Sequence, residues 1–429
     1  MAILEGLQID ADRLGKELEE LSRFTSAESA IEGTAVTRVV FTDDDLRARA
    51  WLKRLAEDEG FSVREDAVGN MFLRWEGLEP ELAAVATGSH MDAIPHAGMY
   101  DGTVGVLGGL EAMRALKRSG RRFRRSLELL LFTAEEPTRF GIGCLGSRLL
   151  AGTLDAATAD GLRDGSGDDD RGTLASVRVG AGFRGDLATV RLAAGHYHAW
   201  IELHIEQGPL LEREGLRIGI VSSIAAPAGY RIAIEGVGGH AGALLMPDRR
   251  DALCAAAEVI LAIERRTLAA NLAAGRPDTV ATVGTCVVFP GAVNSVPSRV
   301  RLEVDLRDVD PGRRESVMRA VRRDCAKIAA RRGVAISEES VNADAPAQAS
   351  PHLVEVLEEV CAELGVRSKP MVSRAYHDSL FMARVAPMAM LFIPCRNGVS
   401  HRPEEYAALE DIALGSRVLA LTLARLAAE

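Results

Sequence analysis

Five side chains of the kind that bind metal ions stand far apart in this chain, each at or just beyond the end of an apolar run. They are His90 in GSHMDAIP, Asp101 in GMYDGTVGV, Glu136 in FTAEEPTRFG, His204 in IELHIEQGP and His401 in NGVSHRPEEY. The apolar runs read as buried strands, and that placement restricts the fold. Open α/β sheets collect their sites in the crevice beyond the carboxyl ends of their strands. Side chains from several strand ends would converge there as ligands of two divalent cations. The expected arrangement is two imidazoles and a carboxylate per ion, with one carboxylate shared.

At 429 residues the chain exceeds one typical core, which predicts two domains. Residues 8–24 and 44–59 carry the three- and four-residue apolar spacing of amphipathic helices. LAAVATGSH (82–90) and SLELLLFTAEE (126–136) read as central strands, and TVGVLGGLEAMRALKRSG (103–120) between them reads as a crossover helix. This order favours a parallel sheet. From about residue 223 the pattern becomes strand, helix, strand, strand, helix, strand, the ferredoxin-like order. The prediction is therefore α/β: a mostly parallel-sheet domain from residues 1–222 and 339–429, with an inserted ferredoxin-like α+β domain at 223–338. Residues 162–172, rich in Gly and Asp, read as an exposed loop.

The net charge of −10 argues against nucleic acid as a partner, the Arg-rich KRSGRRFRR (117–125) being a local exception that reads as a solvated turn. No apolar run is long enough to span a bilayer, and the first residues lack the pattern of a secretory signal. The six cysteines show no framework spacing, which suits reduced thiols in the cytoplasm. Cys144 and Cys395 lie near the motifs, but their apolar neighbours assign them to packing.

Two residues after His90, Asp92 can accept a hydrogen bond from the ring nitrogen turned away from the metal, fixing the tautomer. Of the adjacent Glu135 and Glu136, Glu136 is taken as a metal ligand. Glu135 is taken as the base that removes a proton from water and returns it to a leaving nitrogen.

These motifs, in this order, resemble the aminoacylase and carboxypeptidase-like family of dinuclear metallohydrolases. Within it, HIEQGPLLE and GGHAGALLMPDRRDA resemble the carbamoyl-amidohydrolase branch, whose members act on allantoate, N-carbamoyl amino acids or ureidoglycolate. The stretch SRAYHDSLFMARVAPMAMLFIPC (373–395) is most similar to the ureidoglycolate members, where Tyr376 would shrink the pocket to suit a small substrate. The resemblance implies a homodimer in which the inserted domain serves as dimerisation and lid domain. It implies that His240 reaches the partner subunit's site to stabilise an oxyanion, while Asn294 and Arg307 complete that site by holding the substrate. It matches Gln207 and His377 to substrate-contacting positions, with Asp378 orienting His377. It favours Mn2+ for ureide enzymes, with Zn2+, Co2+ or Ni2+ compatible. The expected activity is hydrolysis of a ureido C–N bond in a small carboxylate-bearing ureide or carbamoyl compound. From a different class, a non-catalytic, metal-stabilised binding protein would have little reason to keep Glu135 beside a full ligand set.

Overall fold

The computed structural model describes residues 6–165 and 172–429. The chain divides into two compact units, one of residues up to Ser222 with Gln348–Glu429, the other of Ser223–Ala347.

The first unit is built on a nine-stranded sheet. Four neighbouring strands form its centre, in the order Met388–Ile393, Tyr197–Ile205, Ala84–His90 and Leu127–Phe132. All four run parallel, with Phe392 beside His204 and His90 beside Phe132. The registers bring the carboxyl ends of these strands to one edge. Three of the four are buried throughout, and Tyr197–Ile205 is buried at all but one residue, as expected when both faces are covered.

Beyond this centre the sheet is mixed, where a mostly parallel one was expected. Met71–Trp75 pairs antiparallel with Leu127–Phe132, Ser62–Glu65 pairs antiparallel with Met71–Trp75, and Ile218–Ile224 pairs antiparallel with Met388–Ile393. For the outermost pair the reason is connection length. Only Asp66–Asn70 joins the two outer strands, and Asp66 Oδ1 accepts the N–H groups of Val68 and Asn70 at 3.0 and 2.9 Å. A turn this short permits only antiparallel pairing.

Helix Thr103–Arg118 packs on the central strands beside helix Leu409–Ala428. Its glycines would weaken an isolated helix, yet each marks a close approach. A Cβ on Gly105 would lie 2.4 Å from the carbonyl oxygen of Leu203, and one on Gly109 would lie 2.4 Å from Leu129 Cδ1. The missing side chains let the helix sit directly on the strand that carries His204.

The second unit has the order strand Ala226–Glu235, helix Ala252–Ala274, strands Val280–Phe289 and Arg299–Asp308, helix Pro311–Arg332 and strand Ala335–Ala343. Its four long strands are antiparallel, with Val280–Phe289 at one edge and Ala335–Ala343 at the other. Burial alternates along Arg299–Asp308, and the inward residues Val300, Leu302 and Val304 share a core with Val259 and Val321 of the helices. The last strand continues past residue 338 because its pairing with Ala226–Glu235 extends to Ala343.

Of the loop expected at 162–172, residues 166–171 lie outside the described residues. Its flank is not an open loop: Arg163 bridges Thr173, and Asp164 is buried and paired with Arg139 at 2.9 Å. No helix among the described residues is long and apolar enough to cross a membrane.

Gly105→Ala tests the close helix approach. Alanine is the better helix former by about 1 kcal/mol, but here its methyl meets backbone that cannot rotate away. The expected outcome is a lower urea midpoint with unchanged m-value, equivalent to about 2 kcal/mol of lost stability. A more stable variant would show that the glycine serves no packing role.

Candidate metal centre

At the carboxyl edge of the four parallel strands the predicted ligands converge. His90, Asp101 and His204 can bring one ligand atom each within 4.8 Å of one another, and so can Asp101, Glu136 and His401. Asp101 divides its oxygens between the two groups. Oδ1 lies 3.2 Å from His204 Nε2 and 3.8 Å from His90 Nε2, while Oδ2 lies 3.1 Å from His401 Nε2. His401 Nε2 is also 3.5 Å from Glu136 Oε1. One group therefore has two imidazoles and a carboxylate. The other has one imidazole and two carboxylates, where two imidazoles had been expected; the further imidazole at this edge, that of His377, stands against His204 instead.

Local backbone explains why these atoms meet. His90 and His204 end adjacent parallel strands, and their rings stack 6.1 Å apart. Asp101 precedes Gly102, whose φ of +66° turns the chain into helix Thr103–Arg118. A Cβ there would stand 2.4 Å from His90 Nε2, so the turn needs glycine for space as well as conformation. Glu405 Oε1 accepts the N–H groups of Tyr100 and Asp101 at 2.9 and 3.0 Å. Ser400 donates to Glu405 Oε2 at 2.8 Å. Glu405 belongs to the HRPEEY segment, but its position on the Asp101 turn gave no signal in the sequence.

The acidic groups strain against their own charge. Burial, then the neighbouring charge of Asp101, pushes Glu136 up to about 8. Burial followed by the proximity of Glu136 holds Glu135 well above the usual carboxylate range. Burial also opposes the ionisation of Asp101, but hydrogen bonds from His204 and His401 outweigh it and hold Asp101 well below its ordinary value. For His204, burial is overcome by the hydrogen bond to Asp101, and the imidazole rises to about 9. At His401 the bond to Asp101 leads, again to about 9. Burial lowers His90 to about 4, so only two of the three imidazoles favour the cation beside these carboxylates, and positive ions would satisfy the remaining acidic charge. The donor set of imidazole nitrogen and carboxylate oxygen fits divalent transition metals.

Asp92 departs from its expected role. His90 Nδ1 faces the main-chain oxygen of Asp92 at 3.0 Å, while the carboxylate is 3.7 Å away. That carboxylate instead accepts the N–H of Glu135 at 3.2 Å on Oδ1 and that of Glu136 at 3.0 Å on Oδ2. It fixes the backbone that carries both acids. Asp378 likewise bonds Ser147 Oγ, at 2.5 Å, and His377 Nε2 bonds Ser373 Oγ at 2.8 Å. The ring of His377 stands against His204 with centroids 4.6 Å apart. Gln207 donates to Asp101 Oδ2 at 2.8 Å, and its buried Oε1 has no hydrogen-bond partner.

Two further residues escaped the sequence. Buried Glu202 receives Ser89 Oγ at 2.9 Å and Ser379 Oγ at 2.5 Å, tying the SHMD strand end to the HDS segment beneath His204. Cys144 is buried but does more than pack, since its Sγ lies 3.3 Å from Glu135 Oε1.

His240, Asn294 and Arg307 belong to the second unit. The short strands Gly239–His240 and Ser295–Val296 pair there, and Ala241 donates to the carbonyl of Asn294 at 2.9 Å, so His240 and Asn294 are brought together. Arg307 lies on strand Arg299–Asp308 and holds Asp305 through Nε and Nη2 at 3.0 and 2.9 Å.

Residues 86–425 match the model of peptidase family M20/M25/M40. The chain is 51% identical to the ureidoglycolate hydrolase of Arabidopsis thaliana, over 99% of this chain and 88% of that protein. It is 37% identical to the N-carbamoyl-L-amino-acid amidohydrolase of Paenarthrobacter aurescens, over 95% and 96%. A crystal structure of AtUAH in complex with glyoxylate superposes with a TM-score of 0.85 at 50% identity, covering 98% of this chain and 99% of that one. A second AtUAH structure, in complex with (S)-hydroxyglycine, agrees equally well. Motif, geometry and similarity over nearly the whole length coincide: the chain belongs to peptidase family M20/M25/M40, among its ureidoglycolate and N-carbamoyl-amino-acid hydrolases.

Proposed function

We propose that this protein is a ureidoglycolate amidohydrolase. The observation that carries the reading is the full-length similarity to ureidoglycolate hydrolase, in a chain whose own metal-ligand residues and Glu135 are assembled at one sheet edge. Hydrolysis of the terminal ureido C–N bond adds water and releases ammonia, leaving a carbamate. Loss of carbon dioxide gives hydroxyglycine, and loss of the second ammonia gives glyoxylate. Those last two compounds are the ones named in the complexes of the AtUAH structures.

Two divalent cations, with Mn2+ favoured and Zn2+, Co2+ or Ni2+ compatible, would be held by the two groups that share Asp101, polarising the carbonyl and acidifying water. Glu135 acts as the base that takes the proton from the attacking water, and then as the acid that delivers it to the leaving nitrogen. Asp92 holds Glu135 in place through the backbone. Gln207 Oε1 accepts an N–H of the substrate, which answers its lack of a partner. His377 contacts the substrate from the same unit. Tyr376, with its hydroxyl 3.4 Å from Arg148 Nη2 and its ring stacked on Phe381, narrows the pocket beside it.

In our reading the second unit is an inserted dimerisation and lid domain. His240 of the partner subunit stabilises the oxyanion as a fixed donor, and Asn294 and Arg307 of the partner subunit grip the substrate, the guanidinium meeting its carboxylate. Exposed apolar side chains support a homodimer: Leu261, Leu268 and Leu272 on helix Ala252–Ala274, with Val287 and Phe289 on the edge strand. Solvent-exposed patches of this kind mark interfaces. We place the enzyme in the cytoplasm, in keeping with six free cysteines.

Three outcomes follow. Glu135→Gln should lower kcat at least about a thousandfold while metal content stays at the wild-type level; normal turnover would remove Glu135 from the chemistry. Ammonia release by the manganese-loaded protein should show its highest kcat/KM with ureidoglycolate, against allantoate and N-carbamoyl-L-amino acids. A preference for an N-carbamoyl-L-amino acid would favour the activity of the Paenarthrobacter relative instead. Leu268→Asp with Leu272→Asp should sediment as a monomer and lose activity, whereas a fully active monomer would rule out a contribution from the partner's His240.

A further inference from the structure

Glu135 is held at three points, and two of them come from one residue. Asp92 accepts its N–H, and Cys144 supplies the other two contacts. The Cys144 N–H donates to the Glu135 carbonyl at 2.7 Å, and the Cys144 thiol lies 3.3 Å from Glu135 Oε1. The following residues continue the alignment, with Leu145 donating to Ala134 at 2.9 Å and Gly146 to Thr133 at 2.9 Å. Cys144 itself sits at a φ of +56°, fully buried, at the start of helix Leu145–Leu150. A side chain in that conformation is aimed by the backbone. Its thiol stays protonated, because burial and then the charge of Glu135 push it well up, so S–H is the donor.

The two oxygens of Glu135 are therefore not equivalent. Oε1 faces the thiol, and Oε2 faces the ligand cluster, 3.8 Å from His90 Nε2. We propose that Cys144 is a positioning residue for hydrolysis: its S–H holds Glu135 Oε1 and so presents Oε2 as the oxygen that takes and returns the proton. The proposal rests on the reading of Glu135 as the base. It extends that reading to a specific oxygen and to the residue that selects it. A carboxylate without this anchor rotates about its last torsion, and the fraction of time in which Oε2 points at the water falls. The consequence belongs in kcat rather than in substrate binding.

Cys144→Ala and Cys144→Ser separate this from simple packing. Both replacements are small and non-glycine, so both carry the same backbone strain, but only serine keeps a donor. The alanine variant should lose about five- to tenfold in kcat on ureidoglycolate, the effect of one hydrogen bond to a charged group with a weak donor. Its KM and metal content should be unchanged, and the serine variant should recover most of the loss. Equal kcat in all three proteins, equal loss in both variants, or a loss carried by KM or metal content would each overturn the proposal. A second readout does not depend on turnover. The S–H stretching band that disappears in Cys144→Ala should move to higher frequency in Glu135→Gln, where the acceptor loses its charge; an unmoved band would also overturn it. Full activity in Glu135→Gln would instead refute the base itself, whatever the band does.

Discussion

The centre depends on a single carboxylate placed so that its two oxygens serve different neighbours. Asp101 turns Oδ1 to His90 and His204 and Oδ2 to His401. Adjacent parallel strands lie about 4.8 Å apart, which brings imidazoles from two strand ends to one oxygen without any special loop. The other group has to be assembled from loops, and the surrounding contacts reflect this. Gln207, Ser400 and Glu405 all bond to the Asp101 turn, and Gly102 gives it room beneath the ring of His90. Moving Asp101 by an ångström would disturb both groups together.

A second layer of acids holds the first. Asp92, Glu202 and Glu405 are all buried, and each spends its oxygens on backbone N–H groups or serine hydroxyls. A buried carboxylate without such partners would be destabilising by several kcal/mol. With them, it becomes a rigid joint between segments distant in sequence. Asp92 joins the end of the strand Ala84–His90 to the Glu135–Glu136 pair. Glu405 joins the His401 segment to the Asp101 turn, and Glu202 joins the strands of His90 and His204 to the segment after His377. These acids are part of the scaffold.

This layering explains what could be read from the sequence. The convergence of His90 and His204 at one sheet edge was legible because a polar residue closing an apolar strand has a place fixed by the sheet. The parallel centre and the helix–strand order of the second unit were legible for the same reason, since periodicity reports which faces are covered. Roles set by loop conformation were not. The turn at Asp66–Asn70 reverses the outer strands, and nothing in the apolar pattern distinguishes that reversal from a crossover. Asp92 stands at the spacing expected of a partner for His90, yet its carboxylate goes to the backbone of Glu135 and Glu136. Cys144 looked like a packing residue because its neighbours are apolar, and its contact with Glu135 depends on a left-handed φ that composition does not signal.

Left-handed backbone recurs around the site. Ala134, Cys144, Gln207 and His401 all have φ between +54° and +59° without being glycine. Each costs about 1–2 kcal/mol relative to an ordinary conformation, and glycine would relieve the strain. At Gln207, His401 and Cys144 the side chain is in use, so glycine is not an option. Ala134 has no such reach, and its methyl is buried. What alanine provides there is restriction: glycine would widen the conformations open to the segment that enters Glu135, and more so when the chain is unfolded. The strained alanine and the strained cysteine are joined by the hydrogen bond from Leu145 to Ala134, next to the bond from Cys144 to Glu135. The strain on both sides of Glu135 is thus balanced by one short ladder of backbone bonds. That ladder fixes the main chain from which the Glu135 side chain extends.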